Sequence, residues 1–213
     1  MLDKLKRGYY EFKEHKFNKE LAEYLADNGQ HPQTMFITCS DSRVVPNQIT
    51  NAKPGELFIT RNIGNFVPPY LGENSRFLAT ASALEYSVVN LKVKNIIVCG
   101  HSQCGAIASL YKDLTPNENN IHIVKWLELG KDAKDKAIKT LPNASMQELR
   151  EFTEKESVKL QLENLMTYPP VREKVESGEL KIYGWYYNFR SGEVFCYDKE
   201  KDEFVPLLQF EEE

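Results

Sequence analysis

Cysteine is scarce: four residues in 213, at Cys39, Cys99, Cys104 and Cys196. A chain of this length buries a core without covalent staples, and so few thiols exclude a small disulfide-built scaffold. An excess of one charge sign is missing too. Lys and Arg number 27 against 31 Asp and Glu, a net charge of −4, which excludes a general nucleic-acid binder with its clustered basic surplus. No apolar run approaches the roughly 18 residues that a spanning helix needs. The charged opening MLDKLKRGYYEFKEHKFNKE holds no apolar stretch of the secretory kind. These absences predict a cytoplasmic protein with no membrane and no nucleic-acid partner. Internal repeats and low-complexity linkers are also absent, which predicts a single domain over 1–213.

What is present is an alternation of two periods. Leu2, Leu5, Tyr9 and Phe12 recur at helical spacing, and 1–30 is read as an N-terminal helical arm lying against a neighbouring helix or a partner subunit. After Asn28-Gly29, the run Thr34 to Cys39 is short, apolar and β-branched, so a buried strand; a second strand covers Leu57 to Thr60, and a third covers Asn95 to Cys99. Between them Phe77, Ala81, Leu84, Val88 and Leu91 follow a helix. Strands alternating with helices predict an α/β fold with a mainly parallel central sheet flanked by helices. Residues 112–155 turn polar and are read as exposed helices whose charges form a solvated face. A further helix carries Val158, Leu162, Leu165 and Met166, and the runs 180–187 and 194–197 around Ser191-Gly192 predict a C-terminal edge hairpin.

The chemistry concentrates at Cys39-Ser-Asp41-Ser-Arg43 and His101-Ser-Gln-Cys104-Gly105. Thiolate sulfur and imidazole nitrogen suit zinc, and in parallel sheets ligands gather at the carboxyl ends of strands, where Cys39 and His101 fall. Cys99 is read as sheet packing and Cys196 as edge-strand packing, which leaves three ligands. Three ligands keep one metal position open, the mark of a catalytic site. Two thiolates cancel the charge of Zn²⁺, so a coordinated water is acidified less than in an all-histidine site. Asp41, held by Arg43, is placed to accept the hydroxide's hydrogen bond; swung onto the metal, Asp41 would instead close the site. His15, His31 and His122 are read as surface residues, and Trp185 and Tyr186 as packing groups.

At these residues the chain resembles the β-class carbonic anhydrases. The likeness rests on CSDSRV, HSQCGA some sixty residues later, PGELFITRNIGNFVPPY, ALEYSVVNLKV and GWYYNFRSGEVF, and spans roughly 1–110 and 157–198. It implies one Zn²⁺ per subunit on Cys39, His101 and Cys104, with Asp41 and Arg43 as the catalytic dyad. It implies that Gln30 hydrogen-bonds the substrate, that Phe58 and Tyr86 line an apolar pocket, and that Gly105 offers a backbone donor; an uncharged substrate needs apolar walls, and Ile63 is read as a further one. In the plant-type, open-site subgroup Gln30, Phe58 and Tyr86 come from the neighbouring subunit, which implies a homodimer or a higher even homo-oligomer. The inhibited subgroup carries a tryptophan where this chain has Phe36, while Arg61 and Tyr187 match its regulatory site. The implied reaction is hydration of CO₂ to bicarbonate and a proton, with activity climbing above neutral pH. The alternatives are hydrolysis of CS₂ or COS on the same scaffold, and a closed, non-catalytic zinc module; Gln30, Asp41 and Arg43 together argue against the module.

Overall fold

Runs such as TMFITC and NIIVCGH pack β-branched and apolar side chains on both faces, which suits strands covered on two sides. In the computed structural model, which describes residues 1–211, they become the centre of a six-stranded sheet. The chain forms two compact units, 1–31 and 32 onward.

The first unit holds α1 (Leu2–Glu11), a π-helical turn, and α2 (Lys19–Asn28), whose start is capped by Asn18 accepting from the Leu21 N–H. Gly29 ends it at φ 74°. Neither helix buries a residue.

The second unit runs β1 (Thr34–Cys39), α3 (Pro46–Thr50), β2 (Leu57–Asn62), α4 (Leu78–Glu85), β3 (Asn95–His101), α5 (Gly105–Leu110), α6 (Ile121–Leu127), α7 (Lys131–Thr140), α8 (Met146–Met166), α9 (Pro169–Glu176), β4 (Lys181–Tyr187), β5 (Val194–Asp198) and β6 (Glu203–Pro206). The strand order is β2-β1-β3-β4-β5-β6. The first four strands pair in parallel and the last two antiparallel. This is the expected α/β sheet, extended by one strand: β6 is the edge, and the predicted hairpin is its inner neighbour. Pro206 at the end of β6 gave that short run no strand signature. The buried Cys196 therefore lies on an interior strand rather than at the edge.

Side chains alternate across the sheet. Met35, Ile37, Ile96 and Val98 point into one core with Leu84, Val88 and Leu165, while Phe36, Ile97 and Cys99 point to the other face beside Trp185. Chain connections leave β1 toward β2 on one side while β3 lies on the other, so the carboxyl ends of β1 and β3 flank a topological switch point. That is where Cys39 and His101 end their strands.

Helix α8 departs from the sequence expectation. It runs 21 residues without a break, fusing the polar end of 112–155 with the apolar helix after it. A capping box, Ser145 with Glu148, starts it. It lies close on the sheet because Gly100 and Gly184 have no side chain there; a Cβ at Gly100 would stand 2.6 Å from Val158, and one at Gly184 2.8 Å from it. Thr153, Glu154 and Glu156 on this helix are buried, not solvated. Within the stretch 112–155 read as solvated, charge alone misread Glu154, which turns to the site described next, while Glu156 just beyond it pairs with Lys136 and Lys159.

Candidate metal centre

Two strand ends and one helix start converge on a small buried cluster. Cys39 closes β1, His101 closes β3, and Cys104 precedes α5. Their ligand atoms all lie within 4.8 Å of one another, and all three residues are buried. Cys99 and Cys196 are buried in the sheet, outside the cluster.

The imidazole is aimed by its surroundings. Its Nδ1 lies 2.9 Å from the carbonyl of Ser102. A carbonyl only accepts, so Nδ1 carries the hydrogen and Nε2 presents its lone pair. That Nε2 is shielded from solvent and has no hydrogen-bond partner. The Phe189 ring stacks at 5.0 Å from the imidazole, and the Phe189 amide donates to Ser102 Oγ at 2.9 Å.

The thiols are equally prepared. A hydrogen bond from Cys104 draws the Cys39 thiol down to about 4 against its burial, and the amides of Gly64 and Asp41 assist. The same hydrogen bond and burial push Cys104 the other way. One negative charge is therefore stabilised on the pair at neutral pH. Gly64 donates its N–H toward Cys39 Sγ at 3.4 Å, at φ 82°, where a Cβ would meet Ala106 at 2.8 Å. Only glycine fits that position.

This donor set suits zinc. Tetrahedral zinc with Zn–S near 2.3 Å sets neighbouring donors roughly 3.8 Å apart, inside the span of the cluster. An orphaned, lone-pair-bearing Nε2 between two thiols is the arrangement such an ion requires, and an unpartnered buried nitrogen is otherwise a cost.

Asp41 and Arg43 stand beside the cluster, not in it. Arg43 grips the carboxylate with Nη2 to Oδ2 at 2.8 Å and Nε to Oδ1 at 3.0 Å, and its amide adds a third bond at 2.9 Å. This fork holds the Asp41 carboxyl down to about 2. Arg43 also reaches the carbonyl of Gln103 at 3.2 Å and lies over the Phe189 ring at 4.3 Å, so it ties the two motifs together. Arg61 donates to the carbonyls of Cys39 and Asp41 and locks the intervening turn.

The remaining predicted residues fall in several places. Ile63 is half exposed beside Gly64, with its carbonyl accepting from Trp126 Nε1. Gly105 is exposed at the start of α5, with open space where a side chain would be. Phe58 and Tyr86 pack on each other at 5.9 Å, but Phe58 lies four residues back along β2 from Asn62, the partner of Cys39, roughly 13 Å by strand rise. Within one chain they are not brought to the triad. Gln30 is exposed and belongs to the first unit, on the segment after α2.

Two groups escaped the sequence reading. Glu154 accepts the Cys104 N–H at 3.0 Å and the Tyr186 hydroxyl at 2.8 Å, so Tyr186 is more than packing. Phe189 was the other; only its place in the GWYYNFRSG stretch could have flagged it.

The comparisons with known proteins converge on the same reading. The family model described as carbonic anhydrase matches residues 34–194. A carbonic anhydrase of Helicobacter pylori (strain J99) is 38% identical over 206 residues, covering 94% of this chain and 92% of the relative. The solved structure of the β-carbonic anhydrase CcaA superposes with TM-score 0.89 at 37% identity, covering 96% of this chain and 98% of that one. One of two tetrameric β-carbonic anhydrases from Sordaria macrospora matches at TM-score 0.72 and 28% identity, over 90% and 91% of the two chains. The chain belongs to the β-class carbonic anhydrases, enzymes that hydrate CO₂ to bicarbonate.

Proposed function

We propose that this carbonic anhydrase works from an open centre, with one zinc per subunit on Cys39, His101 and Cys104 and with Asp41 held off the metal by Arg43. The observation that carries the reading is the orientation of Asp41: both of its oxygens are engaged by Arg43, while three other side chains alone make the ligand cluster. Held by Cys39, His101 and Cys104, a zinc ion would supply Lewis acidity that makes a water more acidic.

The protein's part is orientation and exclusion. Asp41 accepts the hydrogen bond of the attacking O–H and points an oxygen lone pair at the carbon of CO₂. As the new C–O bond forms, one C=O pair moves to oxygen, and the product is bicarbonate. Ile63, Phe58 and Tyr86 give an uncharged substrate apolar walls, Gln30 donates its amide to a substrate oxygen, and the Gly105 backbone lies open beside it. Because Phe58 and Tyr86 pair away from their own triad, they serve a neighbour's site, and the enzyme is a homodimer or a higher even oligomer. The Sordaria relatives' tetramers support this. Phe36, in place of the tryptophan of the inhibited subgroup, supports the open form. We place the enzyme in the cytoplasm.

The test is zinc stoichiometry with stopped-flow CO₂ hydration. One zinc per chain is expected, and Cys104→Ser should lose most bound zinc and at least 100-fold in kcat/KM. Full zinc content and activity in Cys104→Ser would contradict the ligand assignment.

A further inference from the structure

A cavity of about 500 Å³ is lined by the metal loop at Ser102, Gln103 and Cys104, by the first turns of α8 and by strands β4 and β5. It is within the 300–1,000 Å³ range of small-molecule sites. Three cations line it: Arg150, Lys155 and Arg190. Two carboxylates face them. Glu154 has both oxygens engaged, by the Cys104 N–H and the Tyr186 hydroxyl, and Glu151 accepts from the Gln147 amide at 3.0 Å. Among the described residues no ion pair joins either carboxylate to any of the three cations. Among the described residues Lys155 meets aromatic faces, 5.4 Å above Tyr186, 5.9 Å from Phe195 and 6.0 Å from Phe204.

A second orphan sits here. Arg150 Nε is shielded from solvent and has no hydrogen-bond partner, the same condition as His101 Nε2 in the metal centre. A buried guanidinium N–H without an acceptor costs free energy unless a ligand or water completes it. The cavity therefore has surplus positive charge, an unsatisfied donor and, in Phe195 and the half-exposed Met146, apolar walls.

We propose that this cavity, which shares the Ser102–Cys104 wall with the metal centre, is a second anion site that takes a small organic phosphate: its head lies on Arg150, Lys155 and Arg190 and its carbon skeleton on Met146 and Phe195. A phosphate offers three oxygens to two planar guanidinium forks and one ammonium, which a single carboxylate does not. The site adjoins the metal loop through Glu154, yet none of its three cations belongs to the metal cluster or to the Asp41–Arg43 pair.

The experiment is calorimetric titration of the zinc-loaded enzyme in phosphate-free buffer with glycerol 3-phosphate, with neutral glycerol as control. It is repeated with the metal saturated by azide. One glycerol 3-phosphate per chain is expected with or without azide, and no heat from glycerol. Arg150→Ala and Arg190→Glu should each weaken glycerol 3-phosphate at least tenfold and leave azide binding unchanged. If Arg150→Ala fails to fold, the exposed Arg190→Glu decides alone. No binding to the wild type, binding abolished by azide, or wild-type affinity in either folded variant would overturn the proposal.

Discussion

At the scale of single residues, the site separates holding from orienting. In the proposed centre Cys39, His101 and Cys104 would hold the zinc and Asp41 would orient the attacking group, itself held by three bonds from Arg43. Replacing the Asp41 carboxylate by an amide keeps the shape and removes the charge. Asp41→Asn should therefore retain one zinc per chain and lose at least tenfold in kcat/KM. Loss of zinc together with activity would make Asp41 a ligand. The clustering of Cys39, His101 and Cys104 and the Asp41–Arg43 ion pair were legible in the sequence because each lies in a short motif. Glu154 was not. It lies in a run of charges, TEKES, and its acceptor role depends on Gly100 and Gly184 letting α8 approach the sheet, a relation between positions more than fifty residues apart in part.

At the scale of elements, the parallel strands and their order follow from alternating periods, and the carboxyl-end placement of Cys39 and His101 follows from the strands. Boundaries were harder. Helix α8 crosses a composition change that periodicity read as two segments, and β6 is too short and too polar at Glu203 to register as a strand. One contact joining the residue that starts α9 to the loop after β2 gives a pH-dependent test. The buried Tyr168 hydroxyl donates to the Pro68 carbonyl at 2.8 Å. Burial, with the nearby Glu85 charge, pushes the phenol from 10.0 up to about 12. A folded pKa raised above the unfolded one means stability fully present below pH 10 and lost as pH climbs through 12. Tyr168→Phe should cost about 1 kcal/mol at pH 8, and urea midpoints of the two proteins should converge between pH 10 and 12. A gap that stays constant or widens over that window would contradict the assignment.

At the scale of the whole molecule, the proposed oligomer bears on the exposed apolar residues of α1. Leu2, Leu5 and Tyr9 are each more than 60% exposed, in a helix that buries no residue, and such a face fits the contact surface that the proposed oligomer needs. A chain of 24.6 kDa should scatter light as an even multiple of that mass, and Leu5→Glu with Tyr9→Glu should lower it. A wild-type mass of one chain at micromolar concentration would contradict shared pockets.

The account stands most directly on the metal itself, and X-ray absorption at the zinc edge of the purified enzyme reads it. Two sulfurs at about 2.3 Å with two lighter atoms at about 2.0–2.1 Å are expected, one of the lighter pair exchanging when azide is added. A protein without zinc, or a zinc whose four ligands are all fixed and unmoved by azide, would contradict an open centre on Cys39, His101 and Cys104.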